Sequence, residues 1–175
     1  GLPQIATLVI SLCSTQFASA ASQTWRAAPT DATWVGTGNW GTTGVVTPPG
    51  STTANSTDIA TFNTALSGGT IGGSGTPIVT DTGRRLGGIT FDTANVGAYQ
   101  IGSNAGTALG LGSNSASVTG TTTVTASVTT SQVIAAPIQM YSYASSTNPL
   151  YTISNNSTTT GATLTLSGAI TANIS

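Results

Sequence analysis

Between residues 89 and 111 the apolar side chains come in pairs. Ile89 and Phe91 form one pair, Tyr99 and Ile101 the next, and Leu109 and Leu111 the third, each ten residues beyond the last. Two residues apart is the spacing that puts side chains on one face of a β-strand. Gly87-Gly88, Gly97, Gly102, Gly106, Gly110 and Gly112 interrupt the pairs, so the strands are very short and turns are frequent. Further pairs and singles follow: Val118, Val124 and Val128, Val133 and Ile134, Ile138 and Met140, Tyr151 and Ile153, Leu164 and Leu166, Ile170 and Ile174. The ten-residue interval holds for the first three pairs only, so no strict period is claimed. Short strands with turn residues every eight to twelve positions fit a sandwich or barrel, or a solenoid whose coils feed parallel sheets.

Charge decides between them. Only 3 Lys and Arg and 4 Asp and Glu occur in 175 residues, or 4%, where an ordinary soluble domain carries roughly 25%. Threonine (36) and serine (21) fill the space between apolar pairs. In-register coils place like residues about 4.8 Å apart, where like charges repel and threonines do not. The expected fold is therefore all-β, a parallel β-solenoid, with a sandwich or jelly roll as the alternative. A hydrophobic content of 38% argues against disorder of the whole chain. Past residue 20 no apolar run approaches the roughly 20 residues of a membrane-spanning helix, so the mature segment is expected not to insert in a membrane. With Arg26, Arg84 and Arg85 as the only basic side chains, a nucleic-acid partner is not expected.

Three zones divide the chain. Residues 1–20 read as a signal-peptide remnant. An apolar core at Ile5–Leu12 is followed by Ala18-Ser19-Ala20 before Ala21, the small-residue pattern of a cleavage site. Cys13, the one cysteine, lies inside it, and Ser11-Leu12 before it match a lipidation site poorly. Residues 21–63 are rich in Trp, Pro and Gly and read as an N-terminal cap. Trp25, Trp34 and Trp40 can cover the open end of a stack, or they can form a sugar-stacking platform. Residues 64–175 read as coils, truncated at the C-terminus.

Several stretches resemble the autotransporter-associated β-strand repeat family of bacterial secreted and surface proteins. They are Ala32-Thr33-Trp34-Val35-Gly36, Gly38-Asn39-Trp40 and Asp58-Ile59-Ala60-Thr61-Phe62, then Leu86-Gly87-Gly88-Ile89-Thr90-Phe91 with Tyr99-Gln100-Ile101. Tyr151-Thr152-Ile153-Ser154-Asn155-Asn156 followed by Leu164-Thr165-Leu166-Ser167-Gly168 is similar to the family's recurrent unit, with Tyr151 in place of its usual Trp. The resemblance covers most of residues 32–174. It implies a right-handed β-helix displayed outside the cell, and it carries no catalytic residues.

The inventory for chemistry is thin. His, Lys and Glu are absent, which removes His-dependent triads, Lys-assisted nucleophiles and the usual zinc ligands. Paired carboxylates would have to come from Asp31, Asp58, Asp81 and Asp92. Asp81 beside Arg84-Arg85 is the one local hint of a polysaccharide-degrading site, and a polar turn with solvated charges is the preferred reading of it. Gly72-Gly73-Ser74-Gly75 lacks the Asp of a calcium-binding repeat. Asn-X-Ser/Thr matches at Asn55, Asn155, Asn156 and Asn173 arise by chance in such a composition and carry no weight. The expectation is a non-enzymatic structural or adhesive stalk, secreted or at the cell surface, without cofactor, metal or catalytic residues. Its possible partners are a surface polysaccharide or further copies of itself. A polysaccharide-binding module, and after it a polysaccharide-degrading enzyme, are the alternatives.

Overall fold

A computed structural model of the chain describes residues 21–66, 70–112, 120–141 and 151–173. The expected signal segment, Cys13, Val118 and Ile174 lie outside the described residues. Among the described residues twelve strands occur: β1 (Gln23–Thr24), β2 (Ile59–Phe62), β3 (Arg85–Leu86), β4 (Gly88–Phe91), β5 (Gln100–Ile101), β6 (Leu109–Leu111), β7 (Gly120–Val124), β8 (Gln132–Ile134), β9 (Ile138–Tyr141), β10 (Tyr151–Asn155), β11 (Leu164–Leu166) and β12 (Ile170–Asn173). They form three sheets, in the orders β1-β2-β4-β7-β10, β5-β8-β11 and β3-β6-β9-β12. Every strand pair in these sheets is parallel. Each full coil therefore lays one strand on each sheet, and the chain is a three-sided parallel β-solenoid.

The ten-residue interval turns out to be one side of a coil. Ile89, Phe91, Tyr99, Ile101, Leu109 and Leu111 are the inward residues of a single turn of the solenoid, and all are 0–1% exposed. The coil repeat itself is uneven. Partners on the first sheet are 29 residues apart at Ile59 and Gly88, 33 at Gly88 and Thr121, and 31 at Gly120 and Tyr151. In the next coil the inward positions are Thr122 and Val124, then Gln132 and Ile134. Val133, paired with Ile134 in the sequence reading, sits half-buried between Gln132 and Ile134, which are fully buried. Val128 is buried outside the strands.

The interior is built from ladders. Ala60, Ile89, Thr122 and Ile153 follow one another up the first sheet, as do Phe62, Phe91 and Val124. Ile78, Ile101, Ile134 and Leu166 form the column of the second sheet, and Leu109, Ile138 and Ile170 one column of the third. The Phe62 and Phe91 rings stack at 5.3 Å with 24° between planes. The half-buried side of the first sheet carries a hydroxyl ladder of Thr24, Thr61, Thr90, Thr123 and Ser154. Threonine suits this place because its branched Cβ fits a pleated surface and its hydroxyl tolerates a copy of itself on the next rung.

The Trp-rich segment closes the first end of all three sheets. Trp40 bridges Trp25 antiparallel beyond β1, Thr33 bridges Val79 beyond the second sheet, and Ser51 bridges Arg85 antiparallel beyond the third. The segment assigned to the cap also supplies β1 and β2, so the sheets begin within it.

Phe91→Asp is expected to abolish the cooperative fold, since it removes a ring 0% exposed and leaves an unpaired charge among apolar rungs. The combined cost is at least about 4 kcal/mol. Phe91→Leu is expected to cost only about 1 kcal/mol. Thermal melts of both variants provide the check, and a melt for Phe91→Asp like that of the parent contradicts the ladder.

Candidate functional site

Sequence reasoning singled out the acidic and basic residues, and the structure gives each a local task. Arg84 donates to both Asp81 oxygens, from Nε at 3.0 Å and Nη2 at 2.8 Å, and its Nη1 donates to the carbonyls of Gly50 at 2.8 Å and Pro49 at 3.3 Å. Its side chain is 9% exposed. It is a clamp between the turn before β3 and the Pro49-Gly50 loop. Asp58, also buried, accepts from the Gly50 N–H at 2.9 Å. Arg85 points elsewhere, with its guanidinium carbon 4.1 Å from the centre of the Tyr141 ring. Gly110 makes that contact possible, because a Cβ there would lie 2.8 Å from both Arg85 Cγ and Tyr141 Cε2. The Asp81, Arg84 and Arg85 constellation is thus divided between a clamp and a cation–π contact.

Asp31 and Asp92 hold turns. Asp31 Oδ1 accepts from the Thr33 hydroxyl at 2.6 Å, the Thr33 N–H at 2.7 Å and Asn39 Nδ2 at 2.8 Å. These bonds, the Thr33 hydroxyl first, hold its carboxyl below the usual range. Asp92 Oδ1 accepts from the Thr125 hydroxyl at 2.7 Å and the Thr93 N–H at 2.8 Å, and its carboxyl is lowered for the same reason. The Thr125 bond ties the turn after β4 to the turn after β7. Thr93 adopts φ 73°, a left-handed conformation that this bonding sustains.

Asn39 is a residue whose role sequence reasoning missed. It is 0% exposed. Its Oδ1 accepts from the Thr30 N–H, the Thr30 hydroxyl and the Asp31 N–H, and its Nδ2 donates to Asp31 and to the Thr33 carbonyl. A Cβ on Gly36 would come within 2.3 Å of Nδ2. The Gly and Asn of the Trp-Val-Gly and Gly-Asn-Trp stretches are therefore the parts of one knot.

The three tryptophans do not form an exposed platform. Trp25 is 1% exposed, Trp34 and Trp40 0%. Trp40 lies 5.0 Å from Trp25 at 87° and 4.8 Å from Trp34. Trp34 Nε1 donates to the Pro49 carbonyl and Trp40 Nε1 to the Trp34 carbonyl. The sugar-stacking reading of these rings is corrected on this point, since no face is open to a ligand. A cleft of about 540 Å³ lies beside them, lined by Thr24, Trp25, Arg26, Asn63 and Thr64 among others. Arg26 is engaged there with the carbonyls of Trp40, Gly41 and Gly44.

Among the described residues no group of three or more His, Cys, Asp or Glu could hold a metal ion. No helix among them is long and apolar enough to cross a membrane. Burial pushes the Tyr99 and Tyr151 phenols up, although each also bonds a threonine hydroxyl, Thr64 and Thr122 respectively.

Arg84→Ala strands the Asp81 carboxylate and the buried Gly50 carbonyl, while Pro49 keeps the Trp34 indole, and is expected to cost about 3 kcal/mol. Arg85→Ala loses a partly buried cation–π contact, about 1 kcal/mol. Denaturant titration of both separates them; equal costs contradict the division of roles. The pH profile follows from the shifts. Lowered Asp carboxyls bind fewer protons folded than unfolded, so stability is lost as pH falls below about 4. Raised tyrosines keep protons that the unfolded chain releases, so stability is lost above about 10. With no His in the sequence, the profile is expected to be flat between these limits, and Asp92→Asn is expected to soften the acid limb.

The chain matches no family model, no curated protein and no solved structure.

Proposed function

We propose that this chain is a structural or adhesive stalk of a bacterial secreted or cell-surface protein, without catalytic chemistry of its own. The observation that supports this most is where the reactive inventory goes. Arg84 and Asp81 hold a loop, Asp31 and Asp92 hold turns, and Trp25, Trp34 and Trp40 are buried in the cap. The outer side of the first sheet is a hydroxyl ladder from Thr24 to Ser154 on a hydrogen-bonded stack. Such a column resists proteases because cleavage requires a segment to leave the ladder, and the inner strands β4, β7, β8, β6 and β9 are held on both sides. A polysaccharide-binding role loses its principal support once the tryptophan faces are buried. The resemblance to autotransporter-associated repeats supports display outside the cell.

The test is localisation in the bacterium that carries the gene. An antibody raised against folded chain is expected to find the protein at the cell surface or in the medium. External protease is expected to cut slowly, outside β4 to β9. Recovery of the protein in the cytoplasm contradicts the proposal. Trp34→Ala is expected to lower the melting temperature by several degrees; an unchanged melt with lost glycan binding favours the binding module instead.

A further inference from the structure

All four carboxylates of the sequence are engaged. Asp81 holds Arg84, Asp58 the Gly50 N–H, Asp31 Thr33 and Asn39, and Asp92 Thr93 and Thr125. Of the three basic side chains, Arg84 is paired with Asp81, and Arg26 bonds carbonyls of its own segment. The Arg85 side chain has no oxygen partner among the described residues. Its Nε is buried and donates to nothing, and its two Nη groups, which are not buried, carry no hydrogen bond either. Arg85 stands on the outer side of the third sheet, since Leu86 beside it is the buried residue of β3. Gly110 and Gln139 are the next two rungs on that side. The Tyr141 ring lies over Gly110 and against the guanidinium. Tyr141 Oη donates to Gln139 Oε1 at 2.8 Å, and Gln139 Nε2 remains without a partner among the described residues. The patch therefore offers a cation and an amide donor with no carboxylate to answer them.

We propose that Arg85, Gln139 and Tyr141 form a binding site for the carboxylate-bearing sugars of an acidic polysaccharide. A guanidinium meets a carboxylate through two parallel N–H bonds. The Tyr141 contact already holds this guanidinium in place, so little freedom is lost on binding. The Gln139 amide suits a sugar hydroxyl beside the carboxylate. Small-ligand sites are concave, whereas this one is the outer side of a sheet and suits a polymer crossing it. A peptide docks on a sheet by adding a strand to an edge. Here the Arg85 backbone is bonded in both directions to Ser51, and β6 and β9 are paired on both sides, so an acidic peptide finds no edge. The proposal deepens the adhesive part of the stalk reading and rests on it for the polymer being met outside the cell. Cytoplasmic protein that still binds the polymer sinks the stalk reading alone, and surface protein that does not bind sinks this proposal alone.

The experiment is calorimetric titration of the 175-residue chain with polygalacturonate at low salt. The parent is expected to bind it, and not to bind the fully methyl-esterified polymer, which keeps the sugar backbone without the charge. Arg85→Gln is expected to weaken binding by roughly tenfold or more. Arg85→Lys keeps the charge without the fork and is expected to weaken it by less. Both variants are expected to melt within a few degrees of the parent. Absence of binding, equal binding of the esterified polymer, or full affinity in Arg85→Gln overturns the proposal. Equal binding of poly-glutamate assigns the patch to acidic peptides and overturns it too. Nuclear magnetic resonance of the labelled parent covers the case in which Arg85→Gln does not fold. Trigalacturonate is expected to shift the Arg85 Nε–H and the amides of Gln139 and Tyr141, and shifts confined to other residues overturn the proposal equally.

Discussion

The in-register parallel ladder is the constraint on which everything else in this chain depends. Each coil lies about 4.8 Å from the next, so every strand residue must tolerate its counterpart one rung away. Aliphatic and aromatic side chains gain from that proximity, threonine is indifferent to it, and charge is penalised. The charged residues obey this rule by position. Arg26, Asp31, Asp58, Asp81, Arg84 and Asp92 all lie outside the strands, and Arg85 in β3 is the one exception. Its neighbour on the next rung is Gly110, which leaves the guanidinium room to lie against Tyr141. The low charge of the sequence is thus a consequence of the architecture.

A ladder can be extended at either end, so its termination needs separate chemistry. Here termination is aromatic and antiparallel. Trp25, Trp34 and Trp40 cover the cross-section of the core and pack against Phe62, whose ring stacks on Phe91 in the following coil. The Asn39 knot and the Arg84 clamp then fix the loops that carry these rings. Both devices pair the buried polar groups they are built from, the Asn39 amide and the Arg84 guanidinium, which matters because an unpaired donor or acceptor there would cost about 1–3 kcal/mol. The cap is polar in its joints and apolar in its contact face.

Much of this was legible in the sequence, and the failures have physical causes. The coil at β4, β5 and β6 was visible because all six of its inward residues are apolar. The following coil was obscured because two inward positions are Thr122 and Gln132. Thr122 is tolerated inside because its hydroxyl meets that of Tyr151 at 2.9 Å. Gln132 is tolerated because its amide donates to Gly97 and Thr130 and accepts from the Tyr99 N–H. Periodicity reads hydrophobicity alone and cannot see a polar group whose partners lie about a coil away, 29 residues for Thr122 with Tyr151 and 33 and 35 for Gln132 with Tyr99 and Gly97. The Asp81–Arg84 pair was legible from its i, i+3 spacing, but its purpose was not, because the Pro49 and Gly50 carbonyls come from a distant loop.

The same ladder explains why a chain of this length assembles no reactive cluster among its described residues. In a solenoid each rung contacts chiefly its neighbours, so side chains converge only when turns of equal length stack one above another. The coils here differ by up to four residues, with partners 29, 33 and 31 apart on the first sheet. The strands absorb that difference by keeping register, and the turns take up the remainder by differing in length. The carboxylates are therefore committed to turns: Asp31 to its own through Thr33 and Asn39, and Asp92 to its own through Thr93 and to the turn of the next coil through Thr125. The regularity of the column and the irregularity of its corners follow from one requirement, that register be preserved on all three sheets at once.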